Sequence, residues 1–129
     1  MSMLLSCAME LRCVLVDDNS TFLEETRLLL EREGVTVVGT ASSTDEALQQ
    51  ARALCPDLVL VDIALGADNG FDLVRRLAED GSCGPMTAIM ISTNSAVDYA
   101  DLIFESPAAG FLPKEELSAT AIRRVLGRS

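Results

Sequence analysis

Five short segments of this chain are apolar throughout, and each is separated from the next by a stretch whose apolar residues recur at helical spacing. A short, wholly apolar segment is typical of a β-strand that is covered on both faces, as in a parallel sheet. Strict alternation of such strands with helices favours a doubly wound α/β fold, in which right-handed crossovers place helices on both faces of the sheet. The predicted strands are residues 13–16, 35–38, 58–61, 88–91 and 109–112.

The stretches between and after these strands predict five helices. Gly34 follows the first apolar stripe as a stop signal, and Pro56 closes the second helix. Ser43 and Glu46 stand before that second helix at the spacing of an N-terminal capping box. The five predicted stripes are Phe22, Thr26, Leu29 and Leu30; Ala47, Ala51 and Leu54; Phe71, Val74, Leu77 and Ala78; Ala96, Ala100, Ile103 and Phe104; and Leu117, Ala121 and Val125.

Size and charge narrow the class of protein. With 129 residues the chain has room for one domain and not for two. Its formal net charge of -10, from 20 acidic and 10 basic residues, argues against direct binding to nucleic acid. Residues 1–9 are apolar but lack the basic flank and cleavage site of a secretion signal and are too few to span a membrane. We therefore expect a cytoplasmic protein without a membrane partner.

The cysteine pattern predicts no zinc site. The four cysteines are Cys7, Cys13, Cys55 and Cys83, with no CxxC pair, and the chain contains no histidine. Cys13 and Cys55 lie beside apolar runs, so we expect reduced, partly buried thiols.

Charged and polar residues follow four of the five predicted strands. Asp17 and Asp18 come after the first strand, and Asp62 comes after the third. Ser92 follows the fourth strand and Lys114 the fifth. Because sites in doubly wound sheets form at the carboxyl ends of the strands, we expect these side chains to converge. Purely structural roles are the alternative, with Asp17 capping the turn into the first helix and Ser92 forming a turn.

Three carboxylates at one edge of a sheet call for a cation. A pair of them about 4 Å apart costs on the order of 4 kcal/mol at an effective dielectric of 20. Oxygen ligands without His or Cys select a hard ion, and Mg²⁺ accepts a few carboxylates while it keeps its waters. A metal, an ammonium and a hydroxyl suit the oxygens of a phosphoryl group in transfer, and one carboxylate can act as the nucleophile. These residue types therefore favour phosphoryl transfer onto an aspartate.

Four segments carry a resemblance to a known family. VLVDDN, DLVLVDIALGADNGFDLV, AIMIS and AAGFLPK resemble the signature segments of the receiver domains of two-component response regulators, over roughly residues 12–127. The resemblance implies a CheY-like, flavodoxin-like (βα)5 three-layer sandwich with a five-stranded parallel sheet of order 2-1-3-4-5. We accordingly expect a receiver domain over residues 11–129, preceded by a flexible N-terminal extension over residues 1–10.

The resemblance implies a role for each acid. Asp62 resembles the phosphoacceptor and is also a metal ligand. Asp18 resembles a direct Mg²⁺ ligand, and Asp17 the partner acid that holds the metal through water. The backbone carbonyl of Ala64 would complete the metal shell.

The resemblance also implies a switch. Ser92 matches the hydroxyl residue that bonds the phosphoryl oxygen, and Lys114 the lysine that pairs with the phosphoryl group. Phe111 falls at the switch aromatic, although an aromatic in an apolar strand can equally be a core residue in both states. Phosphorylation would change the face formed by the fourth helix, the fifth strand and the fifth helix.

The implied function is that of a phosphorelay receiver. A histidine kinase or a phosphotransfer protein would supply the phosphoryl group, and a downstream protein target or an output domain would bind the altered face. A second copy of the chain, in a homodimer, is another candidate partner for this face, because the fourth helix and the fifth strand are expected to expose apolar side chains, although single exposed apolar residues are common in monomers. Such a domain assists its own Mg²⁺-dependent phosphorylation and dephosphorylation but is not an enzyme on another substrate.

One departure from the family pattern concerns a peptide bond. Glu115 follows Lys114, where family members usually carry a proline joined by a cis bond. A cis Lys–Glu bond would cost roughly 3–4 kcal/mol, so we predict a trans bond there. Any cis bond nearby should fall at Leu112–Pro113.

Two further departures concern the surroundings of the acceptor. Gly66 stands where a proline often ends the phosphorylation loop, which should loosen residues 65–69. Thr93 is bulkier than the residue that often follows the hydroxyl position, and it should narrow access to the acceptor.

Other classes of protein share parts of this pattern. A degenerate receiver would act only as a binding module, and a receiver fragment of a longer DNA-binding transcriptional regulator would carry the same residues. A haloacid-dehalogenase-like phosphatase also uses an aspartate nucleophile, but its DxD motif is absent because Ala64 stands at the second acidic position. A flavodoxin-like electron carrier shares the topology, yet no Ser/Thr/Gly-rich phosphate loop follows the first strand and the chain has no Trp.

Overall fold

The sheet has the predicted architecture. The computed structural model describes residues 11–65, 68–81, 83–84, 86–93 and 100–127. Within them five strands form one parallel sheet in the order β2-β1-β3-β4-β5, which confirms the predicted fold class and strand order. The strands are β1 (Leu11–Val16), β2 (Val35–Ala41), β3 (Leu58–Asp62), β4 (Thr87–Ser92) and β5 (Gly110–Pro113).

Helices cover both faces of this sheet. Alternate side chains of each strand point to opposite faces, so the core lies in two layers. Val14 and Met90 belong to the layer under the second and third helices, whereas Leu15 and Ile89 belong to the layer under the first and fifth. The helices are α1 (Ser20–Arg32), α2 (Thr44–Leu54), α3 (Gly70–Glu79), α4 (Ala100–Glu105) and α5 (Ala119–Val125).

Side-chain caps fix where the first two helices begin. The Asn19 side chain accepts a hydrogen bond from the Phe22 N–H at the start of α1. At α2, Ser43 Oγ accepts from the Glu46 N–H at 3.2 Å, as the predicted capping box requires. The Glu46 carboxylate reaches the N–H of Ser42, at 2.8 Å, and not that of Ser43. The capping box is therefore present, but the hydrogen bond to the Glu46 side chain comes from the residue before the N-cap and not from the N-cap itself.

A short antiparallel hairpin follows β3 and was not predicted. Ala64–Leu65 pairs with Asp68–Asn69, and Leu65 is buried. The predicted loosening of residues 65–69 stays a prediction, although Leu65 and residues 68–69 take part in this pairing. The central part of this segment, residues 66–67, lies outside the described residues, as do the predicted N-terminal extension (residues 1–10) and Ala96 of the fourth stripe.

Three helices bury partly different residues from those predicted. Ala78 and Phe104, both placed on apolar stripes, are exposed, and Phe104 is 90% exposed. Leu23 and Leu73, which were not assigned to a stripe, are buried. In α4 the half-buried Ile103 faces inward, so its neighbour Phe104, about 100° further round the helix, faces solvent.

The predicted state of the cysteines is only partly right. Cys13 is a free, buried thiol, and burial raises its pKa well above the ordinary value, so that it stays protonated. Cys55 is not a reduced thiol, because it forms a disulfide with Cys83. Cys55 caps the C-terminus of α2 in a left-handed conformation, and the loop after α3 brings Cys83 to a Cα–Cα distance of 5.4 Å. A sequence separation of 28 residues gives no sign of this approach.

The disulfide makes a stability prediction. We expect the double variant Cys55→Ser, Cys83→Ser to have a free energy of unfolding about 3 kcal/mol lower than the wild-type protein under oxidising conditions. The reason is that the disulfide links residues with a sequence separation of 28. Urea unfolding with and without dithiothreitol measures the effect. The reductant should lower the stability of the wild-type protein to that of the double variant and leave the variant unchanged. Equal stabilities without reductant would rule out the disulfide in solution.

The peptide bonds around Lys114 are trans. The described residues contain no cis peptide bond, so the trans Lys114–Glu115 bond is confirmed and the expectation of a cis bond at Leu112–Pro113 is wrong. Pro113 adopts an extended conformation (φ -62°, ψ 143°) and continues β5 opposite Ser92, which a trans bond accommodates. Among the described helices, none combines the length and the apolar character needed to cross a membrane.

Candidate functional site

The carboxyl edge of the sheet gathers the strand-end residues. One ligand oxygen each from Asp17, Asp18 and Asp62 lies within 4.8 Å of the other two, close enough for the three carboxylates to share one cation. The ammonium group of Lys114, which follows β5, lies against Asp17 and Asp62. Parallel strands bring these residues together because β1 and β3 are neighbours and their carboxyl ends meet at the same edge.

The two carboxylate oxygens of Asp17 have different surroundings. Its N–H donates to the Ala41 carbonyl at 3.0 Å, and its Oδ1 accepts from the Asn19 N–H at 2.9 Å. This bond shapes the turn into α1, as the structural alternative for Asp17 proposed, although Asn19 is the N-cap itself. The other oxygen, Oδ2, is buried and has no hydrogen-bond donor of acceptable geometry. It is paired with the Lys114 ammonium, 2.5 Å away, so a metal that uses this oxygen has to take the place of that ammonium.

Lys114 is held by three groups. Its Nζ lies 2.5 Å from Asp17 Oδ2 and 3.4 Å from Asp62 Oδ2, and its side chain is only 14% exposed. The same nitrogen lies 4.4 Å from the centroid of the Phe22 ring. Burial on its own would lower the pKa of Lys114, but the contact with Asp17 and the charge of Asp62 outweigh it and raise that pKa above its ordinary value. The lysine is therefore firmly protonated in this site.

Asp62 sits at the end of the fully buried strand β3. Its Oδ1 accepts a hydrogen bond from the Ala64 N–H at 3.3 Å. Burial and then the charge of Asp17 raise the pKa of Asp62 to about 6, against the opposing effects of Lys114 and the Ala64 N–H. At neutral pH the carboxylate is ionised but poorly compensated, which favours a cation beside it.

The raised pKa of Asp62 makes stability depend on pH. It is about 6 in the folded domain, against about 3.9 in an unfolded chain. Between these values the folded state binds a proton that the unfolded state lacks, so lowering the pH raises the free energy of unfolding by at most about 1.4 kcal/mol per pH unit. We expect this gain in metal-free buffer for the wild-type protein and its absence in Asp62→Asn. Urea unfolding of both proteins in EDTA tests this expectation. If the free energies of unfolding of the two proteins differ by the same amount at every pH, the expectation is contradicted.

Gly70 presses against the backbone of the acceptor. Its N–H donates to the Ile63 carbonyl at 2.9 Å, and a Cβ at position 70 would lie 2.2 Å from the Asp62 carbonyl oxygen. The first residue of α3 must therefore lack a side chain for β3 to end where it does. Sequence reasoning did not assign Gly70 to the site, although a glycine opening a predicted helix was a usable signal.

Substitution at Gly70 should therefore disturb both the fold and the acceptor. We expect Gly70→Ala to lower the free energy of unfolding by about 1–3 kcal/mol, because the rigid backbone of Asp62 has to move. Gly81→Ala is the matched control, since nothing lies within 4 Å of a Cβ there. Urea unfolding compares the two variants, and equal stabilities would show that the Asp62 backbone can move aside at no cost in free energy.

The donor set fits a hard divalent cation. Asp17, Asp18 and Asp62 offer carboxylate oxygens only, and the described residues place no His or Cys among them. Asp17 Oδ2 accepts no hydrogen bond and is paired with the Lys114 ammonium, and burial raises the pKa of Asp62, so a metal ion would neutralise both carboxylates. Ala64 begins the hairpin two residues after Asp62, and a ligand role for its carbonyl stays a prediction.

The remaining predicted residues lie beside this cluster. Ser92 ends β4 and is buried next to the end of β3, since the Ile63 N–H donates to the Ile91 carbonyl. Thr93 follows it and is exposed. Phe111 is half-buried in β5 and packs against the core layer under α2 and α3. The phosphoryl-binding and switch roles of Ser92 and Phe111 stay predictions.

The fold and the site together define a class of protein. A doubly wound (βα)5 domain with an acidic cluster and a lysine at its carboxyl edge is the arrangement expected of a receiver. The family described as "Response regulator receiver domain" matches residues 13–126. This chain therefore belongs to the response regulator receiver family.

Relatives in this family carry different activities. The chain is 35% identical over 103 residues to the alginate biosynthesis transcriptional regulatory protein AlgB of Pseudomonas aeruginosa, covering 80% of this chain and 22% of that protein. It is 31% identical over 108 residues to a protein-glutamate methylesterase/protein-glutamine glutaminase of Idiomarina loihiensis, covering 83% and 28% respectively. The chain spans 22% to 50% of the length of several curated relatives that it matches.

A solved structure shares the fold of nearly the whole chain. The crystal structure of a response regulator from Burkholderia pseudomallei with a phosphorylated aspartic acid, a calcium ion and citrate superposes with a TM-score of 0.77. The two sequences are 25% identical, over 90% of this chain and 66% of that one.

Proposed function

We propose that this domain accepts a phosphoryl group on Asp62 from a histidine kinase or a phosphotransfer protein. The observation that carries the proposal is the gathering of three carboxylates and Lys114 at one edge of the sheet. In the described part of the chain no other cluster of this kind occurs. The Burkholderia pseudomallei relative, with its phosphorylated aspartic acid and its calcium ion, supports the same chemistry here.

Asp62 is the proposed nucleophile. One of its carboxylate oxygens attacks phosphorus while the bond from phosphorus to the histidine nitrogen of the donor breaks, leaving an acyl phosphate on Asp62. The Ala64 N–H fixes the carboxylate through Oδ1, so the group is oriented before the donor arrives. The later loss of the phosphoryl group to water would be assisted by the same residues, and no other substrate is proposed for the domain.

Mg²⁺ is the proposed metal. Asp17, Asp18, Asp62 and the carbonyl of Ala64 would hold it, with Asp17 acting through water. When bound, the ion would neutralise the carboxylates and the charge that develops on the phosphoryl oxygens. Asp18 is exposed, which leaves one side of the cluster open for the ion to enter.

The proposed switch uses the residues around the acceptor. Ser92 would bond a phosphoryl oxygen, and Lys114 would move from Asp17 towards the phosphoryl group. Phe111 would follow inward, changing the face formed by α4, β5 and α5. The switch acts only if a partner binds the altered face differently from the resting one, whether that partner is a target protein, an output domain or a second copy.

The output belongs to one of two arrangements. The domain acts alone in the cytoplasm through protein contacts, or it is the receiver of a longer DNA-binding transcriptional regulator. The match to AlgB covers only 22% of that transcriptional regulatory protein, which supports the second arrangement as the alternative to a domain that acts alone. In either case the acidic receiver itself contacts neither nucleic acid nor membrane.

Labelling with a small phosphodonor tests the proposed function. We expect acetyl phosphate with Mg²⁺ to add one phosphoryl group, visible by mass spectrometry, and hydroxylamine to remove it because an acyl phosphate is labile to this nucleophile. EDTA should prevent the addition. A protein that stays unmodified, or whose label resists hydroxylamine, would favour the degenerate receiver that acts only as a binding module.

A further inference from the structure

The ring of Phe22 forms one wall of the site without being a candidate ligand. Lys114 Nζ lies over this ring, 4.4 Å from its centroid, within the range of about 6 Å in which a cation is attracted to the face of an aromatic ring. Phe22 belongs to α1 and packs, half-buried, against the core layer that α1 and α5 share. The fold therefore holds the ring in place on the side away from the lysine.

The ammonium of Lys114 occupies the oxygen that a metal would use. Its Nζ lies 2.5 Å from Asp17 Oδ2, whereas it lies 3.4 Å from Asp62 Oδ2. Asp17 Oδ1 is already engaged by the Asn19 N–H, so Oδ2 is the available oxygen of this acid. A divalent cation or its bound water cannot approach Oδ2 while the ammonium is there. Binding of the metal and the resting position of Lys114 therefore compete.

We propose that Phe22 is a positioning residue that holds the Lys114 ammonium against Asp17 in the metal-free domain and thereby weakens Mg²⁺ binding. The inference rests on the proposed function for the identity of the metal and goes beyond it in assigning a role to the ring. The ring favours the lysine position that blocks Asp17 and does nothing for the carboxylates themselves. Removing the ring should therefore release the lysine and tighten metal binding.

A purely structural role for Phe22 makes a different prediction. A ring that only fills space would, on replacement by a smaller apolar residue, lower the stability of the fold and leave the affinity for Mg²⁺ unchanged. The affinity for Mg²⁺, measured without a phosphodonor, therefore distinguishes the two roles. Leucine removes the aromatic face while keeping an apolar side chain, and tyrosine keeps the face.

The test is a calorimetric titration with Mg²⁺ of the wild-type chain, Phe22→Leu and Phe22→Tyr. We expect Phe22→Leu to bind Mg²⁺ about twofold to fivefold more tightly, the change that corresponds to losing one partly exposed cation–π contact. Phe22→Tyr should bind with the wild-type affinity. In the Lys114→Met background, Phe22→Leu should no longer change the affinity, because the cation on which the ring acts is gone.

A spectroscopic signature reports the contact itself. Lys114 is the only lysine in the chain, so its side-chain NMR signals are unambiguous. The ring should shift the ε-methylene signals in the wild-type protein and in Phe22→Tyr, and the shift should vanish in Phe22→Leu. This comparison shows whether the ring contacts the lysine even if Lys114→Met does not fold, and the affinity of Phe22→Leu for Mg²⁺ then decides the role of the ring.

The outcomes distinguish the inference from the function on which it rests. Wild-type binding of Mg²⁺ with an unchanged affinity in Phe22→Leu would overturn the positioning role alone. A gain in affinity that persists without Lys114 would also overturn it, since the ring would then act on something else. Absence of saturable Mg²⁺ binding to the wild-type protein would overturn the metal assignment and the inference together.

Discussion

Asp62→Asn is expected to reduce Mg²⁺-dependent labelling by acetyl phosphate to the background of the assay. The amide has no ionised oxygen with which to attack phosphorus, yet it has nearly the same shape as the carboxylate and can still accept the Ala64 N–H. The variant should stay folded, because it removes a buried charge whose raised pKa shows that it is poorly compensated. Mass spectrometry after incubation with the donor measures the loss.

The control for this experiment is another aspartate close in sequence. Asp57 precedes β3 at the opposite edge of the sheet, where it is exposed and accepts the Arg12 N–H. Asp57→Asn should accept the label as the wild-type protein does. Wild-type labelling of Asp62→Asn would place the acceptor elsewhere, and Asp17 and Asp18 would be the next residues to replace.

Lys114→Met is expected to destabilise the metal-free domain by about 2–4 kcal/mol near pH 7, as removal of one member of a largely buried ion pair does. Asp17 and Asp62 then face each other without the cation that lies 2.5 Å and 3.4 Å from their oxygens. Methionine keeps much of the apolar stem, so the loss reports mainly the charge. Urea unfolding in EDTA measures it.

The loss caused by Lys114→Met should depend on pH. Lys114 lowers the pKa of Asp62, so its removal raises that pKa beyond the wild-type value of about 6. Asp62 of the variant then takes up its proton at a higher pH than Asp62 of the wild-type protein, so the deficit should shrink as the pH falls towards about 6 and stay constant below that value. Arg123→Met, at an exposed position in α5, is the control and should change stability by no more than about 0.5 kcal/mol. A deficit that is the same at all pH values would show that the lysine acts through packing alone.

Much of the candidate site could be predicted because parallel sheets impose a simple rule. Once the apolar runs mark five parallel strands, the residues that follow them must meet at one edge, whatever their distance in sequence. This reasoning placed Asp17, Asp18, Asp62 and Lys114 together, as the structure does.

Contacts that depend on short distances could not be predicted in the same way. The carbonyl of Asp62 lies where a side chain on Gly70 would have to be, which follows from how closely α3 approaches β3. The exposure of Phe104 depends on the rotation of a helix of six residues, too short for a periodic pattern to fix. The disulfide depends on two loops meeting at the opposite edge of the sheet.

The sequence by itself determined the fold class and the set of charged residues at the carboxyl edge. These follow from composition and order along the chain, because burial selects apolar strands and parallel pairing fixes which ends meet. Only the tertiary structure decided that Lys114 rests closer to Asp17 than to Asp62, and that Phe22 lies against its ammonium group. Such choices turn on differences of about one ångström between groups far apart in sequence, and packing alone sets them.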